Sequence, residues 1–193
     1  MAAADKPQVV AAPVIETARL RLRAHRAADL PGCHAIWSDP DVVRHIGGHP
    51  SNVEESWRRM LNYAGLWSLL GFGYWVIEEK RDSGYIGEVG FADFGRDMQP
   101  SLRGMLECGW VLARSAHGNG FATEAVAAIE AWREKRFPER HAVCIIAPEN
   151  RASLRVAEKT GFRLWCETTY RGDPTWVYAR EPFPDWRPEW NSN

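Results

Sequence analysis

A lone carboxylate inside an apolar, strand-like run is the first residue whose placement points to chemistry. Leu106-Glu-Cys-Gly-Trp-Val-Leu112 alternates, with Leu106, Cys108, Trp110 and Leu112 on one face and Glu107, Gly109 and Val111 on the other. A carboxylate is expensive to bury there without a role. Partly removed from water, Glu107 would hold a proton more tightly, as a general base working near neutrality must. The plainer alternative is a glutamate that reaches water or pairs with an arginine from a neighbouring strand. Directly after this run comes His117-Gly118-Asn119-Gly120-Phe121-Ala122, and then Thr123 to Trp132, free of Gly and Pro, with Ala, Val and Ile at helical spacing. Strand, glycine turn and helix start make a cradle for anionic phosphates. The glycines let the backbone approach closely, and the free N–H groups of the first helical turn point at the ligand. An ordinary strand-to-helix turn reads the same way. The turn lacks both the lysine of a P-loop and the third glycine of the dinucleotide fingerprint.

The elements that must position these residues follow from period and punctuation. Thr17 to Arg23 alternates apolar and basic residues, a half-solvated strand with outward arginines, and Ala28 to Trp37 is a short helix. Asp39-Pro40-Asp41 breaks the chain, and Val42 to Ser51 continues as a loop. Ser51-Asn-Val-Glu54 is a capping-box start for a helix whose stripe of Val53, Trp57, Met60, Leu61 and Ala64 should pack on the core. Phe72 to Glu78 and Tyr85 to Phe91 read as a hairpin about Arg81-Asp-Ser-Gly84, and Asp93 to Gly104 as a mobile loop. The apolar run Ala142 to Ala147 suits a strand covered on both faces. Asn150, a natural N-cap residue, starts a helix that stops at Gly161, and Phe162 to Thr168 and Trp176 to Ala179 are the last strands.

Two stretches in this order, the glycine turn and Asn150-Arg-Ala-Ser153-Leu-Arg-Val-Ala-Glu-Lys-Thr-Gly161-Phe162, resemble the GNAT superfamily of acetyl-CoA-dependent N-acetyltransferases, most of all its RimJ/RimL-type branch. The opening Thr17-Ala-Arg-Leu-Arg-Leu-Arg23 is similar to that branch as well. The resemblance implies an α/β (α+β) fold: a mixed, mostly antiparallel sheet of about six to seven strands, flanked by helices and splayed at the cofactor strand. It implies that backbone groups from His117 to Ala122, with the Thr123 hydroxyl nearby, hold the pyrophosphate of acetyl-CoA. His117 stands where the family carries Gln or Arg, and a solvated loop residue explains it equally. Backbone groups of Val111 and Leu112 would pair with the pantetheine arm, Asn150 would bond that arm, and Ser153 would lie near the cofactor sulfur. The family supports Glu107 as the base. Where many members carry a tyrosine as general acid, this chain has Ala157, so the acid is Ser153, a water or a tyrosine from elsewhere. Val42 to Ser51, Asp93 to Gly104 and Thr168 to Thr175 would read the acceptor, a protein N-terminus or a small-molecule amine. A non-catalytic acyl-CoA sensor or scaffold stays open.

The chain has 193 residues, 45% of them hydrophobic, enough for one domain with a sizeable core. Residues 1–12 read as a flexible leader, 13–180 as the domain, and 181–193 as a Pro/Trp-rich tail. A net charge of −1 gives no footprint for nucleic acid or a membrane surface. The four cysteines are scattered, which suits buried thiols in a reducing cytoplasm and no metal site. Some of the ten tryptophans could line an acceptor cleft or an interface, and a homodimer stays open.

Overall fold

The computed structural model describes residues 11–180. Its strands are β1 Ile15–Glu16, β2 Leu20–Arg23, β3 Tyr74–Glu79, β4 Gly84–Ala92, β5 Leu106–Leu112, β6 Ala142–Ile146, β7 Arg163–Tyr170 and β8 Asp173–Ala179. They form one sheet in the order β1-β2-β3-β4-β5-β6-β8-β7, in which β5 and β6 pair in parallel and the other pairs are antiparallel. The helices are α1 Leu30–Trp37, α2 Pro40–Val43, α3 Val53–Leu70, α4 Phe121–Arg136 and α5 Arg151–Lys159. This is the expected mixed sheet with one strand more. The extra strand, β1, is too short to show a period.

The two faces of β5 divide as the alternation requires. Leu106, Cys108 and Leu112 pack with Ala125, Val126 and Ile129 of α4. Val111 joins Cys33, Trp37, Val43 and Met60 on the side of α1, α2 and α3. Parallel β5 and β6 need a crossover, and α4 supplies it. Trp67, Trp75 and Trp132 meet edge to face in the main core.

Five local expectations are corrected. The capping box of α3 is Asn52 with Glu55, one residue beyond Ser51 and Glu54. Of the expected stripe only Met60 is buried; Val53, Trp57 and Leu61 are exposed, while Ser56, Tyr63, Leu66 and Trp67 turn inward. Ser56 and Tyr63 tolerate burial because each finds a partner: the Ser56 hydroxyl donates to Asn52 O, and the Tyr63 ring stacks on Tyr74. The chain does break between α1 and α2, where Asp39 caps α2 by accepting from Asp41 N, but Val42 and Val43 are helix rather than loop. Asp93 to Gly104 is a packed strap rather than a mobile loop. Asp93 accepts from the amides of Gly95 and Gly104, and Met98 and Leu102 are buried against Val143, Val177 and Ala179. Thr168 to Thr175 is strand on both sides of a tight turn at Arg171 and Gly172, whose φ values are +54° and +90°.

The leader lies outside the described residues as far as residue 10, yet Ala12 is buried in the core and Pro13 O accepts from Trp75 Nε1. The tail from 181 to 193 lies outside them entirely. Among the described residues no helix is long and apolar enough to cross a membrane.

Candidate active site

β5 and β6 pair only at Leu106–Ala142 and Glu107–Val143. Beyond that point β5 stays with β4 and β6 stays with β8, so the sheet parts into two leaves joined at their base. Leu106 N donates to His141 O on the β6 side, and Ala113 N donates to Ile86 O on the β4 side. By two-residue alternation the backbone groups of Cys108, Trp110 and Leu112 face the opening, and those of Val111 face β4. The pair expected to meet a ligand therefore divides. Leu112 faces the opening, its carbonyl 2.9 Å from His117 Nε2. Val111 turns its backbone away, and Trp110 stands in its place.

The glycine turn sits at the far end of β5. Gly118 and Gly120 adopt φ of +77° and +78°, which L side chains rarely do. Gly120 is the N-cap of α4 and offers no capping side chain, so the first-turn amides of Phe121, Ala122 and Thr123 point out of the helix end. The N-terminal segment Thr17 to Arg23, read as a half-solvated strand, fixes this turn. Thr17 Oγ1 and the Arg19 amide donate to Glu124 Oε1 at 2.6 and 2.9 Å, and Arg19 Nε donates to Oε2 at 2.7 Å. Arg19 Nη1 holds the Asn119 carbonyl at 2.9 Å, and the guanidinium lies over the Phe121 ring. Burial would push the Glu124 carboxyl up; the Thr17 and Arg19 contacts outweigh it and hold the group below its usual range. The sequence signal for this clamp was the paired Thr17 and Arg19, whose target only the fold reveals.

Glu107 is buried at the base of the opening. Arg96 Nε and Nη2 donate to its two oxygens, each at 2.7 Å. The partner comes from the 93–104 strap, not from a neighbouring strand. The Arg96 guanidinium lies 4.8 Å from the ring centroids of both Phe94 and Tyr170. On the same face the Tyr74 hydroxyl covers Gly109 so closely that any side chain there would collide with it. Tyr63 stacks on Tyr74 at 4.2 Å.

A second carboxylate escaped the sequence reading. Glu88 on β4 is the register partner of Val111 and is fully buried. It accepts from Trp37 Nε1 at 2.8 Å and the Tyr85 hydroxyl at 2.7 Å, and lies 3.2 Å from His25 Nε2. Burial pushes its carboxyl up, but these contacts outweigh the burial and hold it below the usual range. The signal that singled out Glu107, a charge inside an apolar strand, was equally present in Tyr85-Ile-Gly-Glu-Val-Gly-Phe91.

Asn150 caps α5, its Oδ1 accepting from Ser153 N at 3.1 Å. Because β5 and β6 are parallel, this cap and the glycine turn stand at the same end of the opening. The structure thus brings together Leu112, the 117–123 turn, Asn150 and Ser153, with Glu107 at the base. Among the described residues no group of three or more His, Cys, Asp or Glu is placed to hold a metal ion.

Residues 19–163 match the model of the acetyltransferase (GNAT) domain. The chain belongs to the GNAT acetyltransferase family. It is 29% identical over 174 residues to the protein YkkB of Bacillus subtilis (strain 168), covering 86% of this chain and 95% of that one. A GNAT-family acetyltransferase structure from Bordetella pertussis is 26% identical, with a TM-score of 0.78 over 88% of this chain and 99% of the other. The GNAT fold is also shared with RimL, a ribosomal L7/L12 α-N-protein acetyltransferase solved in complex with coenzyme A, at 20% identity and a TM-score of 0.71 over 87% and 97% of the two chains.

Proposed function

We propose that this GNAT domain transfers an acetyl group from acetyl-CoA to a primary amine, on a small molecule or a protein N-terminus, by direct attack. The parted strands lying below an uncapped helix N-terminus carry the reading. Such a helix end suits a pyrophosphate, and the unpaired strand edges suit an amide-bearing arm added as an extra strand. The amides from His117 to Thr123 would hold the phosphates, with Arg19 fixing the turn beneath them. Trp110 and Leu112 would offer backbone groups to the arm, joined by Asn150, and Ser153 would lie near the sulfur. Acetyl-CoA supplies the acetyl group as an activated thioester. Glu107, through a water, would take the proton that an ammonium acceptor must lose before its nitrogen can attack. A free amine nitrogen then bonds the acetyl carbon, the carbon–sulfur bond breaks, and the departing sulfur takes the nitrogen's second proton. Four free thiols, three of them buried and Cys166 half-buried, fit a cytoplasmic setting.

Arg96 occupying both Glu107 oxygens favours one other reading, a domain that binds acyl-CoA without turnover. Thiol release from acetyl-CoA across a panel of amines separates the two. In the transferase, Glu107→Gln abolishes release while leaving coenzyme A affinity nearly intact. Release by that variant at the wild-type rate removes Glu107 from the chemistry, and no release by the wild type with any amine leaves only the binding reading.

A further inference from the structure

Arg96 and Glu107 form a preassembled pair of opposite charges at the base of the opening, side-chain exposures 19% and 9%. Two charges taken out of water at a site are costly to keep unless they are matched closely. Here the match is bidentate, and the guanidinium is also held against Phe94 and Tyr170. The same arrangement occupies both Glu107 oxygens while Arg96 stays in place. A second cation stands on the α3 side of this sheet face. Arg59 has a buried Nε without a hydrogen-bond partner, and its guanidinium lies 3.5 Å over the Trp37 ring. Among the described residues no carboxylate forms an ion pair with it. The other carboxylate of this face, Glu88, is already engaged by His25, Trp37 and Tyr85. Both buried carboxylates of this face, Glu88 and Glu107, are thus already matched.

We propose that the Arg96–Glu107 pair is a stand-in for the acceptor, a small primary amine that also bears a carboxylate, such as a free α-amino acid. Resting on the transferase reading above, the exchange places the acceptor's ammonium beside Glu107, bridged by the water that carries its proton, and its carboxylate on Arg96. Both buried charges stay matched, and Glu107 is released from its arginine only when an acceptor is present. A guanidinium suits this because it meets a carboxylate in two parallel hydrogen bonds. Arg96 reaches Glu107 from the strap, between the two Asp93-bound glycine amides, those of Gly95 and Gly104.

The test pairs each of the common amino acids with its own carboxamide, which keeps the amine and side chain and removes the negative charge. The full chain is given acetyl-CoA and each acceptor, and free thiol is followed. The wild type is expected to use at least one amino acid with kcat/KM tenfold or more above its carboxamide. Arg96→Gln should erase that preference mainly through KM, and Arg96→Lys should restore part of it. That amino acid, not its carboxamide, should also raise the Tm of the wild type held with coenzyme A, a readout independent of turnover. Equal use of acid and amide by the wild type overturns the proposal without any variant. So does an Arg96→Gln protein that slows both partners alike and keeps the preference. No thiol release with any acceptor, while acetyl-CoA still raises the Tm, removes the transferase reading itself and the proposal with it.

Discussion

Glu88 and Glu107 share a sheet face on neighbouring strands, yet their surroundings give them different duties. Glu88 has no exposed surface and three hydrogen-bonding neighbours, so its charge fastens α1 to β4. Hydrogen bonds to charged groups contribute about 1.5–3 kcal/mol each. Glu88→Gln should therefore lower stability at pH 7 by roughly 2 kcal/mol in denaturant titrations. Its folded carboxyl lies below the unfolded value, so the stabilisation is present above the unfolded carboxylate range and is lost as the pH falls through the folded one. The gap between wild type and variant should narrow below about pH 4; a gap that widens there contradicts an ionised Glu88. Gly109 makes a steric counterpart. A methyl at this position would meet the Tyr74 hydroxyl, so Gly109→Ala should unseat the Tyr63–Tyr74 stack and cost activity more than stability. Unchanged kinetics would show that the stack does not shape the site.

At the scale of elements, the β5–turn–α4 unit was legible because each part demands a particular residue type. The strand needs alternation, the turn needs residues that accept positive φ, and the helix needs an uninterrupted run after it. Gly120→Ala should cost roughly 1–2 kcal/mol of left-handed backbone strain. No clash adds to this, because the nearest atom to a new methyl is Arg19 Nη2 at 3.6 Å. The variant should also weaken acetyl-CoA binding, and full affinity at that position would detach the cradle from the cofactor. Elements whose placement depends on distant partners were not legible. The outward stripe of α3 is more apolar than its buried face, because Ser56 and Tyr63 gain partners that a helical wheel cannot show. The 93–104 strap looks like solvent-facing loop until Met98 and Leu102 meet β6 and β8. Arg19 reads as a surface arginine until α4 arrives beside it. Glu107 was legible as a buried carboxylate, whereas its arginine was not, since nothing in the spacing of Arg96 announces a bidentate contact.

Across the whole molecule, two leaves of sheet share a two-pair seam, and everything proposed for function gathers where they part. A ligand threaded between the leaves would act as a shared strand, so hydrogen exchange at the gap-facing amides of Cys108 and Trp110 should slow in acetyl-CoA while that of Val111 stays as it was. Slowing at all three alike would argue for general tightening instead. On the reading proposed above, the cradle and the parted strands serve acetyl-CoA. Thermal unfolding of the full chain with acetyl-CoA, ATP or NAD tests it most directly. Ligand present at a hundredfold over its dissociation constant stabilises by about 2.7 kcal/mol, a shift of several degrees for a domain of this size. Acetyl-CoA should give that shift and the two nucleotides a much smaller one. An unmoved midpoint at saturating acetyl-CoA, or equal shifts with all three, would contradict that reading.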